Sequence, residues 1–254
     1  MKLRLCYFQK YNNWGDALNP YLLHRLTGCE ITACTNVDRP SEPHLLAIGS
    51  ILQWANVDSV VWGTGVISAE GTLPCSPRRI LSVRGPLTRE FCRRSGMHCP
   101  AVYGDPALLM PEVYQPRSPR GDTLGVIPHY VDRNSAFVAR CRAAGLTVID
   151  VFSDIESFVD QVVSCSGILS SSLHGLICAD AYGVPSRWIR ISDAILGDGF
   201  KFRDYYASLG LQEEPVCVDG DSNPRNLATL PRAKPLLIDR ALMRETLLNY
   251  LETC

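Results

Sequence analysis

Short apolar runs alternate with helical patterns along most of this chain, and the alternation occurs twice, on either side of a proline-rich break. Strands separated by helices cannot pair as hairpins, so the pattern requires crossover connections and a largely parallel sheet. In the first half, Leu3–Phe8, Leu45–Ile48, Val60–Trp62, Ile80–Val83 and Ala101–Tyr103 read as strands, and Ala17–Leu26 and Pro86–Ser95 as helices. Pro111, Pro116, Pro119 and Gly121 mark a linker. Beyond it, Thr123–Pro128, Thr147–Phe152, Ile168–Ser170 and Ser186–Ile191 read as strands. The helices there are Arg133–Ala144, Ile155–Ser164 and Leu173–Tyr182. The expectation is α/β, with two Rossmann-like domains over residues 1–115 and 116–254 facing across a cleft. A last helix, 238–252, is expected to pack back on the first domain. Ligands in such sheets sit at the carboxyl ends of strands.

Composition narrows the function classes. The 254 residues carry a formal net charge of −1, so no broad basic field for nucleic acid is expected. No run reaches the ~18 apolar residues of a membrane span, which leaves peripheral membrane contact. The 11 cysteines form no CxxC pair, and the amino terminus lacks a signal-peptide apolar stretch. We therefore expect buried reduced thiols in a cytoplasmic protein, rather than zinc ligands or disulfides. The turn after the first strand lacks GxGxxG, which argues against NAD or FAD.

The richest segment is Gly167–Pro185, where an apolar run ends in Ser170-Ser171-Ser172 and a helix opens at Leu173-His174-Gly175. Free N–H groups, hydroxyls and the positive end of a helix dipole form a site for phosphate or carboxylate. His174 there can move protons, or else simply cap a buried helix. Asn13-Trp14-Gly15-Asp16 follows the first strand, with Asp16 either an N-cap or a general base. Arg84 ends an apolar strand, where it needs an anionic ligand or a carboxylate partner. Asp105 and His129 stand in two further strand-end turns, Asp105 also being a good turn former. Gly197–Tyr206 combines bases and aromatics suited to a sugar or an anion, or to a docked surface helix.

Together these motifs resemble the polysaccharide pyruvyl transferase family, most closely its bacterial exopolysaccharide ketal pyruvyltransferases. The resemblance rests on Asn13-Trp14-Gly15-Asp16, Trp62-Gly63-Thr64-Gly65, Arg84-Gly85-Pro86, Gly104–Leu109, Pro128-His129, Ser170–Gly175 and Lys201–Tyr206. Where many relatives have a glycine-rich lead into Gly15-Asp16, this chain has Gln9-Lys10-Tyr11. The resemblance implies a GT-B-like fold, phosphoenolpyruvate as co-substrate, no other cofactor and no metal. It implies a sugar hydroxyl pair as acceptor, usually on a lipid-linked repeat unit at the inner face of the cytoplasmic membrane. Inorganic phosphate leaves and a pyruvate ketal forms. Within that frame His174 is the expected acid and Asp16 the base, with Arg84 the third catalytic group. Ser171, Ser172, Gly175, Arg84 and His129 are expected on the donor; Asn13, Trp14, Gly15, Asp105, Lys201 and Arg203 on the acceptor or cleft. Two other readings are a GT-B nucleotide-sugar glycosyltransferase and a non-catalytic carbohydrate-binding relative. No glutamate occurs between Glu156 and Glu213, which argues against a retaining glycosyltransferase with paired glutamates.

Overall fold

The computed structural model describes residues 1–34, 41–73, 75–117 and 119–253. In chain order the first half holds β1 (Lys2–Cys6), α1 (Trp14–Thr27), β2 (Glu30–Cys34), β3 (His44–Leu46), β4 (Ser59–Trp62), β5 (Arg79–Ser82) and α2 (Pro86–Arg94). A 3₁₀ turn, Pro106–Leu109, runs into the short α3 (Met110–Val113). The second half holds β6 (Leu124–Ile127), α4 (Ala136–Ala143), β7 (Thr147–Val148), α5 (Ile155–Val163), β8 (Gly167–Ser170), α6 (Leu173–Ala181), β9 (Ser186–Arg190), α7 (Phe200–Ser208), β10 (Val216–Cys217) and α8 (Arg240–Glu252).

The strands form two five-stranded sheets, ordered β2-β1-β3-β4-β5 and β10-β9-β8-β6-β7. Among the described residues every pairing between these strands is parallel, with one isolated antiparallel bridge from Ser186 to Arg232. Renumbered within its own half, each sheet has the same doubly wound order, 2-1-3-4-5. The order reverses between β1 and β3 in one sheet and between β6 and β8 in the other. At such a switch point neighbouring loops diverge to opposite faces and leave a crevice at the strands' carboxyl ends.

One apolar cluster runs through both halves, from Leu5, Trp14 and Leu18 through Leu108 and Met110 to Phe158, Ile177 and Tyr205. Two smaller clusters cover the outer faces, one around Leu46, Val61 and Phe91, the other around Val126, Phe137 and Ile189. Helix α6 is buried nearly all round, as its composition requires. Helix α8 lies against the first half, where the Trp62 indole donates to Met243 O at 2.9 Å. The linker is anchored as well: the Tyr182 hydroxyl donates to Tyr114 O, and the Tyr114 hydroxyl to Asp160. Most cysteines are buried, and among the described residues no helix is long and apolar enough to cross a membrane.

Several elements differ from the sequence reading. Helix α1 begins at Trp14 because Asn13, not Asp16, is its N-cap. Two short sheet-edge strands, β2 and β10, carry too little alternation to be read locally. Segment 101–103 forms only a bridge, Val83 to Tyr103. Helix α7 is no surface helix, since Phe202, Tyr205 and Tyr206 are buried.

Candidate active site

The two switch points face each other across a pocket of about 440 Å³. Its walls are the turns that follow β1 (Phe8, Asn13, Asp16), β3 (Gly49, Ser50, Trp54), β6 (His129, Tyr130) and β8 (Ser172, Leu173, His174), with Leu196 and Lys201 completing the rim. A larger groove of about 740 Å³ lies by Arg78, Arg79 and His98 at the amino end of β5, and no carboxylate is among its described lining. Asp16, His129, His174 and Lys201 all line the first.

His174 sits in the first turn of α6, whose leading N–H groups have no intrahelical partner and open toward the pocket. Ser172 N is already taken by Ser170 Oγ at 3.0 Å, which shapes the turn. The imidazole is held from two sides. Nε2 lies 3.4 Å from Asp105 Oδ2, and both atoms are buried without another partner. The other oxygen of Asp105 accepts from Ala107 N at 3.0 Å, so the carboxylate also caps the 3₁₀ turn and cannot swing away freely. On the opposite side, a Cβ added at Gly15 would stand 2.0 Å from His174 Nδ1. Only glycine lets α1 approach the ring this closely. Nδ1 is left as the nitrogen toward the pocket. Substituting Gly15 by Ala should displace the ring by ångströms and lower kcat on the order of 10²-fold. Far-UV circular dichroism should stay unchanged, because alanine favours the helix; unaltered turnover would show that the ring tolerates the shift.

Asp16 is buried in the first turn of α1, where Asn13 Oδ1 accepts from its N–H at 3.4 Å and Asn13 Nδ2 donates to its carboxylate. Burial pushes its carboxyl up to about 6, against the opposing pulls of His174, Asn13 and Lys201. A group with a raised native pKa costs stability once it must ionise in the fold. That cost is absent below the unfolded value near 3.8, grows as pH rises, and is complete above about 6. Asp16→Asn should therefore be more stable than the parent by about 3 kcal/mol above pH 7. The gap should close below pH 4, as read by urea unfolding across pH.

His129 and Lys201 face the same space. Burial pushes the His129 imidazole down to about 3, helped by the charges of Lys201 and His174. Its Nδ1 accepts from Val131 N at 3.4 Å, which leaves a neutral ring with Nε2–H as donor. Burial, and then Arg84, lower the Lys201 ammonium to about 8, while Asp16 pulls the other way. Ser50, Phe8, Trp54 and Tyr130 complete the walls. These were not among the expected site residues, although the switch-point rule applied to the turn after β3 would have found Ser50.

Five expected ligands lie elsewhere. Arg84 is fully buried: Nε donates to Asp204 at 3.0 Å, Nη1 to Ser50 Oγ at 2.8 Å and Nη2 to Val66 O at 2.8 Å. Its strand-end charge is met by a carboxylate of α7, and it reaches the pocket wall through Ser50. Ser171 donates to Asp132 and accepts from His129 N at 2.9 Å, so it braces the His129 turn. Gly175 faces the sheet, where a Cβ would meet Ser170 Oγ at 2.6 Å and Ile127 at 2.9 Å. Trp14 stacks on Phe158 at 4.8 Å and donates to Ile155 O at 3.1 Å, tying α1 to the second half. Arg203 pairs with Glu214 at 2.7 Å, outside the pocket. Asp105 is at the site, but behind His174 rather than in the cleft.

A model of the family described as polysaccharide pyruvyl transferase matches residues 76–193, a span that includes Arg84, Asp105, His129 and His174. An uncharacterized protein of Acanthamoeba polyphaga mimivirus is 29% identical over 216 residues, covering 82% of this chain and 75% of that protein. The succinoglycan biosynthesis protein ExoV of Rhizobium meliloti (strain 1021) is 28% identical over 216 residues, covering 81% of this chain and 64% of ExoV, under two thirds of its length. Over residues 76–193 the chain is thus similar to the polysaccharide pyruvyl transferase family, and over most of its length to a succinoglycan biosynthesis protein.

Proposed function

We propose that this pocket moves the pyruvyl group of phosphoenolpyruvate onto two hydroxyls of one sugar, forming a ketal and releasing phosphate. The observation that carries the reading is a carboxylate-backed histidine at a helix N-terminus, placed with a carboxyl poised near neutrality in one partly enclosed pocket. The donor's phosphate and carboxylate are held by the α6 N-terminus, the Ser172 hydroxyl, His129 Nε2–H and the Lys201 ammonium. Arg84 adds positive potential from behind. His174 delivers a proton to the donor's methylene carbon, making a methyl group and an oxocarbenium-like centre at the adjacent carbon. Asp16 takes the proton of the attacking hydroxyl as the first C–O bond forms. The second hydroxyl then displaces phosphate, which leaves with that hydroxyl's proton. A helix N-terminus opposes an imidazolium, and Asp105 supplies the opposing charge that permits one.

In this reading the half carrying Asp16 (1–115) serves the acceptor and the half carrying His129 and His174 (116–254) the donor, facing each other in GT-B-like fashion. The acceptor is a surface or exopolysaccharide repeat unit, lipid-linked and met at the inner face of the cytoplasmic membrane by peripheral contact. The deciding experiment incubates the protein with phosphoenolpyruvate and glycan acceptors and reads phosphate release together with product mass. Acceptor-dependent phosphate release with a pyruvyl mass increment is the expected result. Nucleotide release from a nucleotide sugar instead would overturn it.

The pH profile follows from the same groups. Asp16 must be ionised to accept a proton, so the rate should rise through about pH 6. Lys201 must be charged to hold the donor, so kcat/KM should fall above about pH 8. Lys201→Arg should move the upper limb to higher pH, because guanidinium keeps its charge.

A further inference from the structure

Aromatic rings continue out of this pocket onto the surface. Trp54 and Phe8, both on the pocket wall, lie 6.1 Å apart. Phe8 then meets Tyr11 at 5.8 Å, Tyr11 meets Tyr130 at 5.0 Å, and Tyr130 meets Phe152 at 6.2 Å. Tyr11 and Phe152 stand outside the pocket lining, with 42% and 36% of their surface exposed. Val131, beside Tyr130, is 44% exposed, whereas the pocket end of the ladder is half-buried. An exposed apolar track that begins at an active site marks a binding surface rather than scattered surface apolarity.

We infer that the acceptor binds as an oligosaccharide, with its modified sugar in the pocket and the next units laid along Tyr11, Tyr130 and Phe152. The inference rests on the pyruvyl-transfer reading and extends it to the acceptor's length. A pyranose offers apolar C–H faces and a rim of hydroxyls. The rings match the faces, being large, rigid and cheap to order. The rim is matched by polar groups of both signs. Lys10 lies 5.1 Å from the Tyr11 ring centroid and Arg133 lies 5.7 Å from that of Phe152. Exposed Asp150 and Asp154 flank Phe152 in sequence, with their carboxylates turned to the N–H groups of Phe152 and Ser157. Such a mixture hydrogen-bonds to sugar hydroxyls but lacks the net positive field that draws a protein to an anionic bilayer. A single sugar held in the pocket would not reach Tyr11 or Phe152.

The test uses the whole protein, arrayed oligosaccharides of one to six units, and titration calorimetry on those that bind. Affinity should rise with chain length. Tyr11→Ala and Phe152→Ala should each weaken the longer ligands by about 3- to 10-fold. Binding of the matching monosaccharide and of phosphoenolpyruvate should be unchanged. Both side chains are partly exposed, so the variants should keep the parental melting temperature within a few degrees. Three results would each overturn the inference: affinity independent of length, equal loss for short and long ligands, or loss of phosphatidylserine-vesicle binding in place of glycan binding. The two readings fail separately. Length-dependent glycan binding without acceptor-dependent phosphate release would remove the proposed reaction and leave the track. Phosphate release at equal efficiency with a monosaccharide and its longer homologues would remove the track and leave the reaction.

Discussion

His174→Gln should lower kcat by roughly 10²–10⁴-fold, the usual contribution of a positioned general acid. The KM for phosphoenolpyruvate should change only a few-fold. Glutamine fills similar space and can still hydrogen-bond, but it cannot release a proton to carbon. The donor's anions rest on other groups, namely the α6 N-terminus, His129 and Lys201, so donor binding should survive. A steady-state comparison of kcat and KM checks this. Loss confined to KM would make His174 a donor ligand, and turnover near the parental rate would make it structural.

Asp105→Asn should have the next largest effect, lowering kcat by about 10²-fold or more, as expected when the carboxylate partner of a catalytic histidine is lost. The substitution is nearly isosteric and leaves an oxygen to cap the 3₁₀ turn through Ala107 N. That bond then turns the new amide nitrogen toward His174 Nε2, where a carboxylate oxygen stood at 3.4 Å. An acceptor that favoured imidazolium becomes a donor that opposes it. The KM for phosphoenolpyruvate should change only a few-fold, because Asp105 holds His174 rather than the donor. A purely structural carboxylate would instead lower the melting temperature together with the activity. Steady-state kinetics and thermal unfolding of the variant separate the two cases.

Local reading reached the residues whose role is set by their immediate neighbours. A strand that ends in three serines before an apolar helix has to place His174 in a first helical turn, wherever the rest of the chain goes. The same logic places Asp16 and His129 at strand ends. Arg84 shows where that logic stops. Its sequence context demanded a counter-charge, and two sources would satisfy the demand equally: a bound anion or a carboxylate of the protein. The partner is Asp204, 120 residues away, which also accepts from the Thr88 N–H and hydroxyl. Asp105 fails in the opposite sense. Its turn-forming role is local and was legible, while its second oxygen faces His174 only because α6 packs over the 3₁₀ turn.

The aromatic walls escaped for a related reason. Phe8, Tyr11 and Trp54 come from the turns after β1 and β3, and Tyr130 and Phe152 from the second half, so no window of sequence holds them together. By itself the sequence determined the two rounds of alternating strand and helix, the strand-end turns, and the chemistry each turn can offer. Hydrophobic period and backbone freedom act over a few residues and need no distant partner. Tertiary structure alone decided which turns meet and which charges are spent on one another. Burial makes an unpaired ion costly, and whether the nearest answering charge is a ligand or a side chain depends on how the two sheets are packed.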